Sequence, residues 1–187
     1  MLDFINAHQQ LFANFFGFSA IFVVMMMYQF KKHKTILWLM VLTSALWCCH
    51  FGVLGLITPV AMNLVNTARS FVFSFRDKKW AQSWLIPAAF LAASLILVIV
   101  TWESAWSILP CIGTSFATVA NWQKDTKKLK ILTIPVCISW FIYNTVSHSW
   151  AGMCNEILAF SSIMVSLYRI HKAEKSGSSI NESKTGD

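Results

Sequence analysis

Apolar and polar positions alternate in long blocks along this chain. Seven apolar stretches each approach the ~20 residues that a helix needs to cross a bilayer, and short polar hinges separate them. The predicted spans are residues 11–30, 35–55, 58–75, 83–101, 105–122, 130–148 and 151–169. We expect helices because backbone polar groups in lipid must find their partners within the segment. The pattern therefore predicts an all-α membrane protein with seven transmembrane helices.

The positive charges indicate which side of the membrane each hinge occupies. Of the 15 Lys and Arg residues, 14 lie at one face of the membrane, in alternate hinges, at the adjoining span ends or in the C-terminal tail, and Arg69 is the one deep inside a span. The basic hinges are residues 31–34, 76–79 and 124–130. Because cytoplasmic loops carry the excess of Lys and Arg, we expect the N-terminus outside and the C-terminus in the cytoplasm.

Composition narrows the classes of function. Hydrophobic residues occupy 56% of the 187 positions and charged residues 12%, about half the charged share of a soluble domain. This excludes a soluble enzyme, a disordered chain and a nucleic-acid-binding protein, and the basic hinges explain the net charge of +7. Five cysteines at membrane depth argue against a disulfide framework. The expected surrounding is the lipid bilayer, and the oligomeric state stays open.

A shift of 93 residues superposes the two halves of the chain. Trp47 then meets Trp140, Lys34 meets Lys127, and the basic and uncharged hinges coincide without gaps. Three helices, one connecting helix and three more helices would form a parallel repeat, as in SWEET transporters. The predicted segments are an outer N-terminal segment (1–10), a first three-helix repeat (11–75), a loop and connecting helix (76–101), a second three-helix repeat (102–171) and a disordered cytoplasmic tail (172–187).

Several predicted helices carry one stripe of polar or aromatic side chains at helical spacing. Ionisable groups inside a membrane are costly, so Arg69 and Glu156 are functional hypotheses by default. Amides both donate and accept hydrogen bonds, and indole rings offer flat faces. The stripes therefore predict a mid-membrane pocket for a small polar or anionic molecule. The candidate substrate-binding residues are Trp47, His50, Asn63, Asn66, Arg69, Trp140, Asn144 and Glu156.

Each candidate also has a structural interpretation. Polar side chains hold membrane helices together, so a single Ser, Thr or Asn is more often an interhelical contact than a ligand contact. Arg69 and Glu156 either line a cavity or form an ion pair, and the sequence leaves both open. His50 and His148 lack metal-ligand spacing, and no nucleophile–base pair is visible. We therefore expect no metal, no cofactor, no catalytic residues and no enzymatic activity.

Short motifs in both halves resemble the bacterial inner-membrane YgjV family. They are residues 47–55 with Asn63, Asn66 and Arg69, then residues 109–114, and then residues 150–152 followed by Glu156. The resemblance covers about residues 10–172 and implies a multi-pass protein of the bacterial inner membrane, without an assigned activity.

The helix plan also resembles SWEET and vitamin-transporter folds, whose central pockets are lined by tryptophan and asparagine. This likeness implies that Trp47, Asn63, Asn66, Trp140, Asn144 and Glu156 line a pocket here. The Pro-Gln pair typical of that wider superfamily is absent, because Cys111 follows Pro110.

Two classes of function remain. The first is a small-molecule transporter in which the two triplets rock around the central site by alternating access. The second is a non-transporting membrane receptor or assembly factor on the same fold, whose basic loops bind a partner or anionic lipid headgroups. The sequence leaves the substrate, the transport direction and the coupling ion open.

Overall fold

The protein is all-helical throughout the part of the chain that the structure describes. This computed structural model describes residues 8–27, 33–75, 78–123 and 125–184. Within those ranges the seven α-helices are α1 (Gln9–Met27), α2 (His33–Val53), α3 (Ile57–Phe73), α4 (Leu85–Val100), α5 (Ile108–Trp122), α6 (Thr126–Val146) and α7 (Trp150–Lys184). The all-α class is confirmed. Most of the predicted outer N-terminal segment and parts of all three basic hinges lie outside the described residues.

The helices present apolar surfaces that suit a membrane. By length and composition, three helices are able to cross a bilayer, over Gln9–Met26, Thr126–Val146 and Trp150–Lys172. Shorter apolar helices cover Val41–Val53 and Leu85–Val100. Many large apolar side chains, chiefly Phe, Leu, Ile, Val and Trp, are exposed, and a soluble monomer rarely exposes apolar patches of this extent. Seven crossings stay a prediction, because α3, α4 and α5 are each shorter than the ~20 residues of a typical span.

α2 and α6 match in length and in the way that they end. Each has 21 residues, and their bounds differ by 93 positions. Each is followed by a residue in the left-handed region, Gly55 with φ 74° and His148 with φ 53°. The next N–H then reaches back to a helix carbonyl, at 2.9 Å after α2 and 2.8 Å after α6, as in a Schellman cap. The shift seen in the sequence is therefore reproduced by the backbone at equivalent positions.

The helices pack as two groups with α4 beside them. α1 packs most extensively on α2, and α5 packs most extensively on α6. α3 lies against α2, and α7 lies against α6. Two junctions join the groups, α3 with α5 and α1 with α7, and α4 packs on α3 and α5 at the first junction. The buried apolar cluster comprises Phe51, Met62, Val98, Cys111, Trp140 and Tyr143.

The last helix is longer than the sequence indicates. α7 continues to Lys184, through most of the segment 172–187 for which the sequence predicts a disordered tail. Ala173, Glu174 and Lys175 have high helix propensity, which favours continuation of the helix beyond its apolar part.

Candidate functional site

A pocket of about 180 Å³ lies between α2, α3, α6 and α7. This is the volume of about six water molecules in the liquid, which suits a small organic molecule. The residues that line it are Trp47, Phe51, Asn63, Asn66, Val136, Trp140, Asn144, Gly152, Asn155 and Glu156. Both helix groups therefore contribute to one site.

Six of the eight predicted binding residues line this pocket. They are Trp47, Asn63, Asn66, Trp140, Asn144 and Glu156. The 93-residue shift relates Trp47 to Trp140 and Asn63 to Glu156. Two pairs of lining residues thus occupy positions that the shift relates, although an amide in one pair corresponds to a carboxylate.

Three aromatic rings form a continuous wall of the pocket. Trp47 stacks on Phe51 with ring centroids 5.8 Å apart and 26° between the planes. Phe51 meets Trp140 at 6.1 Å and 34°. Trp140 packs against Gly113 of α5, where an added Cβ would lie 2.7 Å from the indole Cδ1 and Nε1. The missing side chain at Gly113 therefore makes room for the indole, and the wall offers a surface on which a flat apolar body would stack.

Two of the amides that line the pocket each donate a hydrogen bond to another group of the protein. Asn63 Nδ2 donates to the carbonyl oxygen of Pro59 at 2.9 Å. Asn155 Nδ2 donates to the Glu156 carboxylate at 3.0 Å. These contacts restrain the orientation of both amides, and the Cys137 side chain also hydrogen-bonds the Glu156 carboxylate.

Two other amides present acceptors that no protein donor reaches. Asn66 Oδ1 and Asn144 Oδ1 are buried without a hydrogen-bond partner. Asn144 is only 2% exposed, and its amide fills the space beside Gly152 where a Cβ would collide with it. An unsatisfied buried acceptor costs about 1–3 kcal/mol. A bound molecule that donates to these oxygens would remove that cost.

The structure places His50 outside the lining. Its Nδ1 lies 2.6 Å from the carbonyl oxygen of Ala13 in α1, and its Nε2 lies 2.7 Å from Ser149 Oγ at the start of α7. A carbonyl oxygen only accepts, so Nδ1 donates, and Nε2 of the neutral ring accepts from the hydroxyl. The imidazole is edge-on to Trp47 and Phe51. His50, Ala13 and Ser149, here called the His50 clamp, thus join three helices and support the aromatic wall.

Arg69 also lies outside the lining. It is 3% exposed, and its Nη1 donates to the carbonyl oxygen of Thr114 at 3.2 Å and to Thr118 Oγ1 at 3.0 Å. These three residues, here called the Arg69 clamp, join α3 to α5. Glu156, the ion-pair partner that the sequence left open, instead accepts from Asn155.

Four lining residues were not predicted: Phe51, Val136, Gly152 and Asn155. Phe51 is related to Asn144 by the 93-residue shift, so the repeat carries a signal that would have identified it. Asn155 directly precedes Glu156, and a polar pair within an apolar helix is a weaker signal of the same kind. Val136 and Gly152 resemble ordinary packing residues, and the sequence offers no signal for them.

A second cavity of about 270 Å³ shares Glu156 with the pocket. It is an apolar groove between α6 and α7, lined otherwise by Cys137, Ile138, Phe141, Ile157, Phe160 and Ser161. Within the described parts of the chain, no group of three His, Cys, Asp or Glu residues lies in a metal-binding arrangement. All five cysteines are free thiols.

Comparison with known proteins identifies the family. The sequence model of the Imp-YgjV family, described as bacterial inner membrane protein, matches residues 11–174. No curated protein and no solved structure matches the chain. Because the family match covers most of its length, the chain belongs to the Imp-YgjV family. Membership and the apolar helices together support a bacterial inner membrane protein, and the family match confirms the resemblance to the YgjV family.

Proposed function

We propose that this Imp-YgjV family member moves a small organic molecule across the bacterial inner membrane by alternating access, with the pocket as its binding site. The main support is that the pocket lies between the two helix groups and takes Trp47 with Trp140 and Asn63 with Glu156 from equivalent positions. Transporters built from repeats bind substrates at the repeat interface, near the bilayer midplane.

The SWEET-like 3+1+3 plan is part of this proposal. α1–α3 would form one triplet, α5–α7 the other, and α4 the connector that gives both triplets the same orientation in the membrane. The matched bounds and caps of α2 and α6 support this plan. So does the packing, since the junction of α3 with α5 is related by the repeat to the junction of α7 with α1.

Each junction between the two groups is held by polar contacts. The Arg69 clamp joins α3 to α5. The His50 clamp joins α1 and α2 to α7, and Gln10 Nε2 adds a bond of 3.2 Å to the carbonyl oxygen of His148. Alternating access would open one junction while the other stays closed, so the pocket would face one side of the membrane at a time.

The test is ligand flux into liposomes that contain the purified protein. Candidate ligands come from a panel of sugars, nucleosides, vitamins, amino acids and organic ions. Asn66→Leu removes a pocket oxygen that has no protein partner, and Asn121→Leu makes the same change on an exposed part of α5. We expect flux to be lost in the Asn66 variant and kept in the Asn121 variant.

The outcomes separate the two classes of function. Equal flux in both variants would exclude this pocket as the transport site. Tight binding without flux in the native protein would contradict transport and favour a membrane receptor.

A further inference from the structure

We infer that the pocket selects small organic cations that carry N–H donors beside a flat apolar body, and that Glu156 sets this charge preference. The inference rests on the proposed function for its site, and it adds the charge and the shape of the ligand. It narrows the small polar or anionic molecule that the sequence led us to expect to a cation.

The charge of the residues that line the pocket favours a cationic ligand. Among the described residues that line the pocket, Glu156 is the one with an ionisable acidic side chain, and no Lys, Arg or His accompanies it. Arg69, which the sequence offered as an anion ligand, does not line the pocket, and its Nη1 donates to Thr114 and Thr118 on α5. The carboxylate would therefore repel an anion, with no cationic residue in the lining to compensate. A cation would instead form a charge-assisted hydrogen bond with the carboxylate.

The hydrogen-bonding groups point to a donor-rich ligand. Asn66 Oδ1 and Asn144 Oδ1 are buried acceptors without partners, while Asn63 and Asn155 each use one of their two N–H donors within the protein. The Glu156 carboxylate adds a further acceptor. A ligand with several N–H groups would satisfy these oxygens, and one that carries only acceptors would leave them unpaired.

The aromatic wall supports a cation for an independent reason. The faces of indole and phenyl rings attract cations, and tryptophan does so most strongly. Trp47, Phe51 and Trp140 form one wall of the pocket. The same faces stack on a planar apolar body. A ligand with a charged planar group attached to a ring would therefore stack on the wall and donate hydrogen bonds to the acceptor oxygens.

Three probes of nearly equal shape isolate the effect of charge. Benzamidinium is a planar cation with N–H donors, benzamide is its neutral counterpart, and benzoate is its anionic counterpart. Binding to the purified full-length protein in detergent is measured by isothermal titration calorimetry. We expect benzamidinium to bind at least about tenfold more tightly than benzamide, a difference of about 1.4 kcal/mol, and benzoate to bind most weakly.

Two isosteric variants assign the preference to Glu156. Glu156→Gln removes the pocket charge, and we expect the benzamidinium-to-benzamide affinity ratio to fall close to one. Asp125→Asn is the matched control, because Asp125 is an exposed cap of α6 and asparagine caps a helix about equally well. We expect the control to keep the native ratio. The melting temperature of each variant without ligand is measured as well, to show that both variants are folded.

Several results would overturn the inference. Equal binding of benzamidinium and benzamide, tighter binding of benzoate, or no binding of any probe would each contradict a cation site. A native affinity ratio that survives Glu156→Gln would contradict the assignment to this residue. Preference for a neutral or anionic ligand would leave the proposed transport intact, whereas benzamidinium binding without flux in liposomes would contradict transport and uphold cation recognition.

Discussion

The contact between α5 and the aromatic wall predicts a strong effect of one added methyl group. In Gly113→Ala the new Cβ would lie 2.7 Å from Cδ1 and Nε1 of Trp140, whereas ordinary contact begins at 3.4 Å. The indole must therefore move by at least about 0.7 Å. Gly52 is the matched control, because a Cβ there would meet nothing within 4 Å.

Helix propensity and overpacking change the free energy of unfolding in opposite directions. Alanine favours a helix over glycine by about 0.8–1.0 kcal/mol, and Gly52→Ala should gain part of that. Overpacking a tight contact costs about 1–3 kcal/mol, so Gly113→Ala should be less stable than Gly52→Ala by about that amount. For a chain of this size the difference corresponds to roughly 2–12 °C in melting temperature.

The assay is thermal unfolding of both variants in the same detergent, followed by a double-mutant cycle. Trp140→Phe removes the indole atoms that meet the new Cβ, so the double variant of Gly113 and Trp140 should be more stable than the sum of the single effects by about 0.5–3 kcal/mol. Equal melting temperatures for Gly113→Ala and Gly52→Ala, or strictly additive effects in the cycle, would refute the packing described here.

The remaining predictions concern the clamps, the caps and the topology. His50→Ala should lower the free energy of unfolding by about 2–4 kcal/mol, because it leaves Ala13 and Ser149 without their buried partner; an unchanged melting temperature would contradict the clamp. Gly55→Ala should destabilise by about 1–2 kcal/mol because Gly55 has positive φ, whereas His148→Gly should not destabilise; the opposite order in thermal melts would contradict the shared cap. A C-terminal green fluorescent protein fusion should fluoresce and an alkaline phosphatase fusion should be inactive; the reverse pattern would place the C-terminus outside.

Most of the helices and much of the pocket lining are predictable from the sequence. The shift that pairs Trp47 with Trp140 also relates the bounds of α2 to those of α6. The tryptophans deep in the predicted spans stand out because other tryptophans, such as Trp84 and Trp102, lie near span ends. The structure leaves those two side chains exposed. Polar residues inside apolar helices also stand out, so the sequence predicts six of the residues that line the pocket.

The partners of long side chains are harder to predict. His50 lies one helical turn from Trp47 and shares its predicted stripe, yet its ring reaches Ala13 and Ser149. Arg69 follows Asn66 by one turn, yet its guanidinium extends to α5. Helical spacing fixes the face on which a residue lies, but the neighbouring helix that it meets depends on packing between distant segments.

The most direct test of a ligand site between the two helix groups is ligand-induced thermal stabilisation. A ligand at 100 times its dissociation constant adds about 2.7 kcal/mol of stability. We expect the native protein and the Asn121→Leu variant to show this stabilisation with the same ligand of the panel, and the Asn66→Leu variant to lose it. Equal stabilisation of the Asn66 variant, or a folded native protein that no ligand of the panel stabilises, would contradict the account.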